Sequence, residues 1–96
     1  MWELSSEGNL HADDGAVSGR PSYSLLQLAQ FYSDCADRIR EFDKEHLITG
    51  GDGVLRSSQW NLFKDVMNGS EFKKKTDTKE ERLKALALLN ERLDVI

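Results

Sequence analysis

Leu25, Leu28, Tyr32, Cys35, Ile39, Phe42 and His46 recur at alternating spacings of three and four residues. That is three heptads of a and d positions, the pattern of a helix with one buried stripe. It predicts a single helix over 24–46, about 23 residues and therefore roughly 35 Å long. Ala29 and Ala36 fall on the flanking position, where small side chains let a neighbour approach closely. Asp34, Asp37, Arg38, Arg40, Glu41, Lys44 and Glu45 occupy the other faces. Asp34 stands four residues before Arg38, a favourable helical pair.

Two further helices are expected downstream. "RSSQWNLFKDVMNG" has Ser57 or Ser58 as cap and Gly69 as stop, and it aligns Trp60, Phe63 and Met67 on one stripe. "TKEERLKALALLNERLDVI" opens on Thr78 with Glu81 three residues later, the spacing of a capping box. Glu80 and Glu81 suit the positive end of the helix dipole. Leu83, Leu86, Leu89, Leu93 and Ile96 form its expected apolar face. Upstream, residues 1–20 are rich in Gly, Ser, Asp and Ala without a period and read as a flexible arm, with Trp2 and Leu4 as the side chains able to dock. Pro21 ends the arm, and Ser22 and Ser24 can cap the first helix. No strand pattern stands out. The expected fold is all-α: a flexible arm over 1–21, then a helical domain over 22–96. That domain is either a three-helix bundle or a long-helix hairpin with a C-terminal helix.

Between the first two helices lies "LITGGDGVL", which invites a chemical reading. A calcium loop needs oxygen ligands at positions 1, 3 and 5, Gly at 6 and Glu at 12. With Gly53 at position 6 those places fall to Ile48, Gly50, Asp52 and Gln59, so one acid stands where several are required. A phosphate cradle would need a following Lys-Ser/Thr and a preceding buried strand, and Asp52 would repel the phosphate. The glycines read instead as a hinge, supplying positive φ while Asp52 ties back to its own backbone. Cys35 and His46 lie eleven residues apart on one helix, about 16 Å, too far to act as nucleophile and base. His11 with Asp13 and Asp14 is too sparse for a metal site. The residues suggest no cofactor, no metal and no catalytic set, so the expected chain is not an enzyme.

A length of 96 residues allows one small domain, and a net charge of −4 weighs against a dedicated nucleic-acid binder. The lysines at 73–75 make the one basic run, flanked by Glu71 and Asp77, and read as a solvated loop. No apolar run reaches membrane-spanning length. The N-terminus lacks a secretory pattern and Cys35 is the single cysteine, so a cytoplasmic or nuclear setting is expected. "NGS" at 68–70 is then a chance match to the glycosylation pattern. The terminal "LDVI" resembles a peptide captured by strand addition, but it also completes the last helix's stripe. Thr78 before acidic residues resembles a phosphorylation site, although capping already accounts for it.

A long stripe that a short second helix cannot cover suggests a surface for partners. The leading functional expectation is a non-catalytic intracellular interaction module, regulatory or scaffolding, binding a protein partner through helix packing and possibly as a homodimer. Tyr32, Phe42, Trp60 and Phe63 are its anchors, because aromatics dominate interface energetics. The alternatives are a degenerate EF-hand-like ion-binding regulator and, last, a weak nucleic-acid-binding module.

Overall fold

The computed structural model describes residues 1–11, 23–53, 59–60 and 76–95. Along these residues run strand β1 (Trp2–Glu3), the single helical turn α1 (Gly8–His11), helix α2 (Leu25–Arg40), strand β2 (Ile48–Thr49) and helix α3 (Lys79–Asn90). The all-α expectation is overturned. β1 and β2 pair in parallel, with Trp2 opposite Ile48 and Glu3 opposite Thr49. On the other side of β2, Thr49 forms a parallel bridge to Val95. The strand order is β1, β2, Val95, and a helix lies in sequence between each parallel neighbour and the next. Parallel strands need such long crossovers, so this is α/β organisation rather than a helical bundle.

α2 begins where the sequence placed it. The Ser24 side chain accepts from the Gln27 N–H, and the Gln27 side chain accepts from the Ser24 N–H, completing a capping box. It ends six residues early, at Arg40. The Asp43 carboxylate accepts from the N–H groups of Glu45 and His46, both at 3.1 Å, and from Trp2 Nε1 at 2.9 Å. An aspartate that satisfies the backbone two and three residues on competes with continued helix. Phe42 and His46 therefore keep the heptad spacing but lie beyond the helix.

The buried stripe of α2 is Leu25, Leu28, Ala29, Tyr32, Ala36 and Ile39. Its upper part packs on Ala85 and Leu89 of α3, with Leu4, Trp60, Leu88 and Leu93 around them. Its lower part, Ala36 and Ile39, covers Ile48 of β2. The small residues at 29, 36 and 85 let the backbones approach. α3 is capped by Thr78 and Glu81, as its sequence indicates, but the buried face is Ala85 and Leu89. Leu83, expected on that face, is exposed. The expected helix after Ser57 lies outside the described residues except Gln59 and Trp60, which are helical. Phe63, Met67, Ile96 and the lysines at 73–75 also lie outside them.

The segment expected as the arm is described up to residue 11. Those residues are tied to the domain by four backbone bonds: Trp2, Leu4, Ser5 and Glu7 N–H donate to the carbonyls of Leu47, Thr49, Gly50 and Gly51. No helix among the described residues is long and apolar enough to cross a membrane.

Leu89→Ala should lower stability in urea denaturation by about 2–5 kcal/mol, as loss of a buried leucine does. Leu83→Ala, at a position the sequence pattern treats as equivalent, should change it by less than about 0.5 kcal/mol.

Candidate functional site

Both strands run on, past their last paired residues, into short polar loops that meet. β1 leads through Leu4 into Ser5, Ser6, Glu7 and Gly8, and then α1. β2 leads into Gly50, Gly51, Asp52 and Gly53. Because the pairing is parallel, the carboxyl ends of both strands open on the same side. The "GGDG" stretch, read from sequence as a hinge between helices, is the carboxyl-end loop of a strand.

Its glycines are required by what lies against them. Gly51 has φ +72°, and a Cβ there would sit 2.0 Å from the Ser5 carbonyl oxygen. Gly50 lies close against the Tyr32 ring, where a Cβ would come within 2.8 Å of a ring carbon. Gly53 is held by Asn9: its N–H donates to Asn9 Oδ1 at 2.8 Å, and its carbonyl accepts from Asn9 Nδ2 at 3.1 Å. Asn9 is fully buried, and its own carbonyl accepts from Gln59 Nε2 at 3.0 Å. The Gln59 Oε1 is buried without a hydrogen-bond partner.

The centre of the cluster is Tyr32. Its ring is fully buried in the α2–α3 core, and its hydroxyl reaches Asp52 Oδ1 at 2.6 Å and Ser5 Oγ at 2.7 Å. Ser5 Oγ also reaches the Gly50 carbonyl at 2.7 Å. Burial, and then the hydrogen bond to Asp52, push the Tyr32 phenol well above its ordinary range. Burial also raises the Asp52 carboxyl, against the opposing pull of the Tyr32 hydroxyl and the Asn9 backbone N–H. Tyr23, whose hydroxyl donates to the Gly8 carbonyl at 2.8 Å, is raised by burial and by the nearby Asp52 charge.

Glu7 carries the backbone outlier of the rim. Its φ is +53°, the one positive φ of a non-glycine among the described residues, and its side chain is exposed. A left-handed glutamate costs of order 1–2 kcal/mol, and such outliers concentrate at functional sites. Beside it opens a cavity of about 360 Å³, lined by Ser5, Gly8, Tyr23, Gln27, Leu28 and Phe31. The walls are largely apolar and aromatic, with a few polar groups, the usual make-up of a small-molecule site.

Of the aromatic anchors expected from sequence, Tyr32 and Trp60 pack in one core cluster and Phe42 stands apart from them. Tyr32 is interior. Trp60 is half-buried against the core, with its N–H donating to Asp77. Phe42 is 67% exposed at the opposite, amino-terminal end of the sheet, edge-on to Trp2 at 6.1 Å. Phe63 lies outside the described residues. Sequence reasoning missed Ser5, Glu7, Asn9 and Asp52 as a group, because they meet only through strand pairing. The available signal was the pair of short β-prone runs, "WEL" and "LIT", each followed by a polar, glycine-containing segment. Among the described residues, no three His, Cys, Asp or Glu side chains are arranged to hold a metal ion.

No family model matches the chain, and neither the curated proteins nor the solved structures provide a match.

Gly51→Ala should destabilise the chain by at least about 2 kcal/mol, since a left-handed backbone and a backbone clash add. Asn9→Ala should cost about 1–3 kcal/mol for the Gly53 groups it leaves unpaired. Urea midpoints of both variants against the parent chain check this.

Proposed function

We propose that the carboxyl-end rim of this parallel sheet binds a neutral, hydroxyl-bearing organic ligand, and that Glu7 presents its carboxylate to a ligand oxygen for hydrogen bonding and proton transfer. The observation that carries the reading is the left-handed Glu7, held at the rim by its own N–H bond to Gly51. The charge of the rim narrows the ligand. Glu7 and Asp52 are acids, and no described Lys or Arg pairs with either. Phosphates and carboxylates are disfavoured there, whereas a ligand hydroxyl can donate to Glu7. Tyr23, Leu28 and Phe31 offer apolar surface to the carbon face of a ring. A carbohydrate combines those properties.

Amide NMR of the full chain with a panel of neutral disaccharides tests the proposal. Residues 5–9 and 50–53 should shift on titration, and inorganic phosphate should not compete. Glu7→Gln should weaken binding at least about tenfold, the worth of one hydrogen bond to a charged group. Absence of shifts at those residues, or stronger shifts with phosphate, defeats the reading.

The interaction-module reading retains one specific support, at the other end of the sheet. Phe42 and Trp2 stand exposed together, with Met1 and Leu47 also exposed. Neighbouring exposed apolar residues of this kind mark association sites. If this patch self-associates, light scattering gives a mass that rises with concentration, and Phe42→Ala returns it to the 10.9 kDa monomer. A constant monomer mass for the parent chain removes self-association.

A further inference from the structure

Three oxygen–oxygen contacts run in series: Asp52 Oδ1 to Tyr32 Oη at 2.6 Å, Tyr32 Oη to Ser5 Oγ at 2.7 Å, and Ser5 Oγ to the Gly50 carbonyl at 2.7 Å. Each separation is hydrogen-bond length and needs one proton between its oxygens. The tyrosine hydroxyl supplies one and the serine hydroxyl a second, while a carbonyl supplies none. An ionised Asp52 also supplies none, which leaves two protons for three contacts and one pair of lone-pair-bearing oxygens pressed together. A carboxylic acid at Asp52 supplies the third. The chain then orders completely: Asp52 donates to Tyr32, Tyr32 to Ser5, and Ser5 to Gly50.

We infer that Asp52 is carried in the fold as a neutral carboxylic acid heading this proton-ordered chain, and that the chain positions the rim. No atom is left over in the count, and the surroundings agree with it. Glu3 lies against Gly51 from β1, with its Oε1 3.0 Å from the Gly51 Cβ position. Glu7 meets the same loop through its N–H bond to the Gly51 carbonyl. α2 presents Tyr23 and Tyr32, and α1 presents Asn9, whose N–H bonds Asp52. α3 contributes Ala85 and Leu89 to the Tyr32 cluster, neither of them titratable. Among the described residues, the basic side chains beside β2 bond elsewhere: Arg40 with Asp94 and the His46 ring with Asp43. Among the described residues the titratable groups around it are acids and phenols, and burial, the largest influence on the carboxyl, raises Asp52.

The consequence for the site rests on the rim reading above. Ser5 and Gly50 sit immediately before the rim residues of each strand, and their link fixes where Glu7 stands. Ionisation of Asp52 removes one proton and releases either the Ser5–Gly50 or the Ser5–Tyr32 contact, so the rim loosens as pH rises through the Asp52 value. Asp52, Tyr32 and Ser5 are positioning residues in this scheme, and Glu7 is the group that meets the ligand.

The test is a pH titration of the Asp52 carboxyl carbon by NMR in the ¹³C-labelled full chain. Its midpoint should lie above the ordinary aspartate value of about 3.9. Ser5→Ala should lower that midpoint, because Tyr32 loses its acceptor and must donate to Asp52, which favours the anion. A purely structural serine gives no such shift. A midpoint at or below the ordinary value in the parent chain overturns the inference, and so does a midpoint that Ser5→Ala leaves unchanged. Asp52→Asn supplies an independent check, since its amide donates to Tyr32 as the acid does. In the parent chain the folded value is raised, so the stability contributed by Asp52 is complete below the unfolded value and lost as pH rises through the folded one. The urea midpoint of Asp52→Asn should lack that loss. The same loss in Asp52→Asn as in the parent also overturns the inference. Failure of the rim reading looks different: Asp52 titrates as described, and disaccharides leave the rim amides unmoved.

Discussion

The backbone of residues 47–51 is bonded from both sides. The carbonyls of Leu47, Thr49, Gly50 and Gly51 receive N–H groups from residues 2–7, and the Ile48 carbonyl receives those of Asp94 and Val95. Its own N–H donates to the Asp94 carboxylate at 2.9 Å, and that bond, followed by the one from Arg40, holds the Asp94 carboxyl below the usual range. Each such bond contributes only about 0.5–1.5 kcal/mol net. Their effect is geometric. A segment near the start of the chain and one near its end are aligned on the same five residues, and every loop that follows a strand then emerges on one side. Remove the central strand and neither edge segment has a partner, because β1 and Val95 do not touch each other through the sheet.

Tyr32 connects this sheet to the helices. Its heptad position sends the ring into the core between Leu28, Ala85 and Leu89, and its length carries the hydroxyl out to the loops at the strand ends. The residue is therefore both a packing element and the polar hub of the rim. Gly50 is part of the same arrangement, since any side chain there would meet the ring. A phenylalanine would fill the core equally well and leave Ser5 and Asp52 without their shared partner, so packing alone does not account for the hydroxyl.

The helices were legible because their information is local. Ser24 with Gln27, and Thr78 with Glu81, satisfy orphan N–H groups within one turn, and the stripe from Leu25 to Ile39 needs only the 3.6-residue period. The sheet was not legible. β1 and β2 have two paired residues each, too few to show alternation, and parallel strands buried beneath helices lack it in any case. The heptad pattern also ran past its physical end. Phe42 and His46 match the spacing, but Asp43 turns the backbone away between them, and only the Trp2 side chain arriving from 41 residues earlier completes that turn. The candidate site depends on the same long-range pairing. Ser5, Glu7 and Asn9 are separated by more than 40 residues from the loop they meet, and in sequence they look like the polar arm of a helical domain.

The two left-handed residues at the rim have different causes, and the difference bears on function. Gly51 adopts φ +72° because the Ser5 carbonyl occupies the space a Cβ would need, so steric exclusion alone explains a glycine there. Glu7 adopts φ +53° with a side chain that makes no such demand. Glycine at position 7 would relieve the backbone at no cost in packing, since the side chain is exposed. Glu7 is thus a strained, exposed glutamate across the rim from the half-buried Asp52. The register set by residues 47–51 fixes the Glu7 backbone through its N–H bond to Gly51, and the hydroxyls of Tyr32 and Ser5 brace the Gly50 loop beside it.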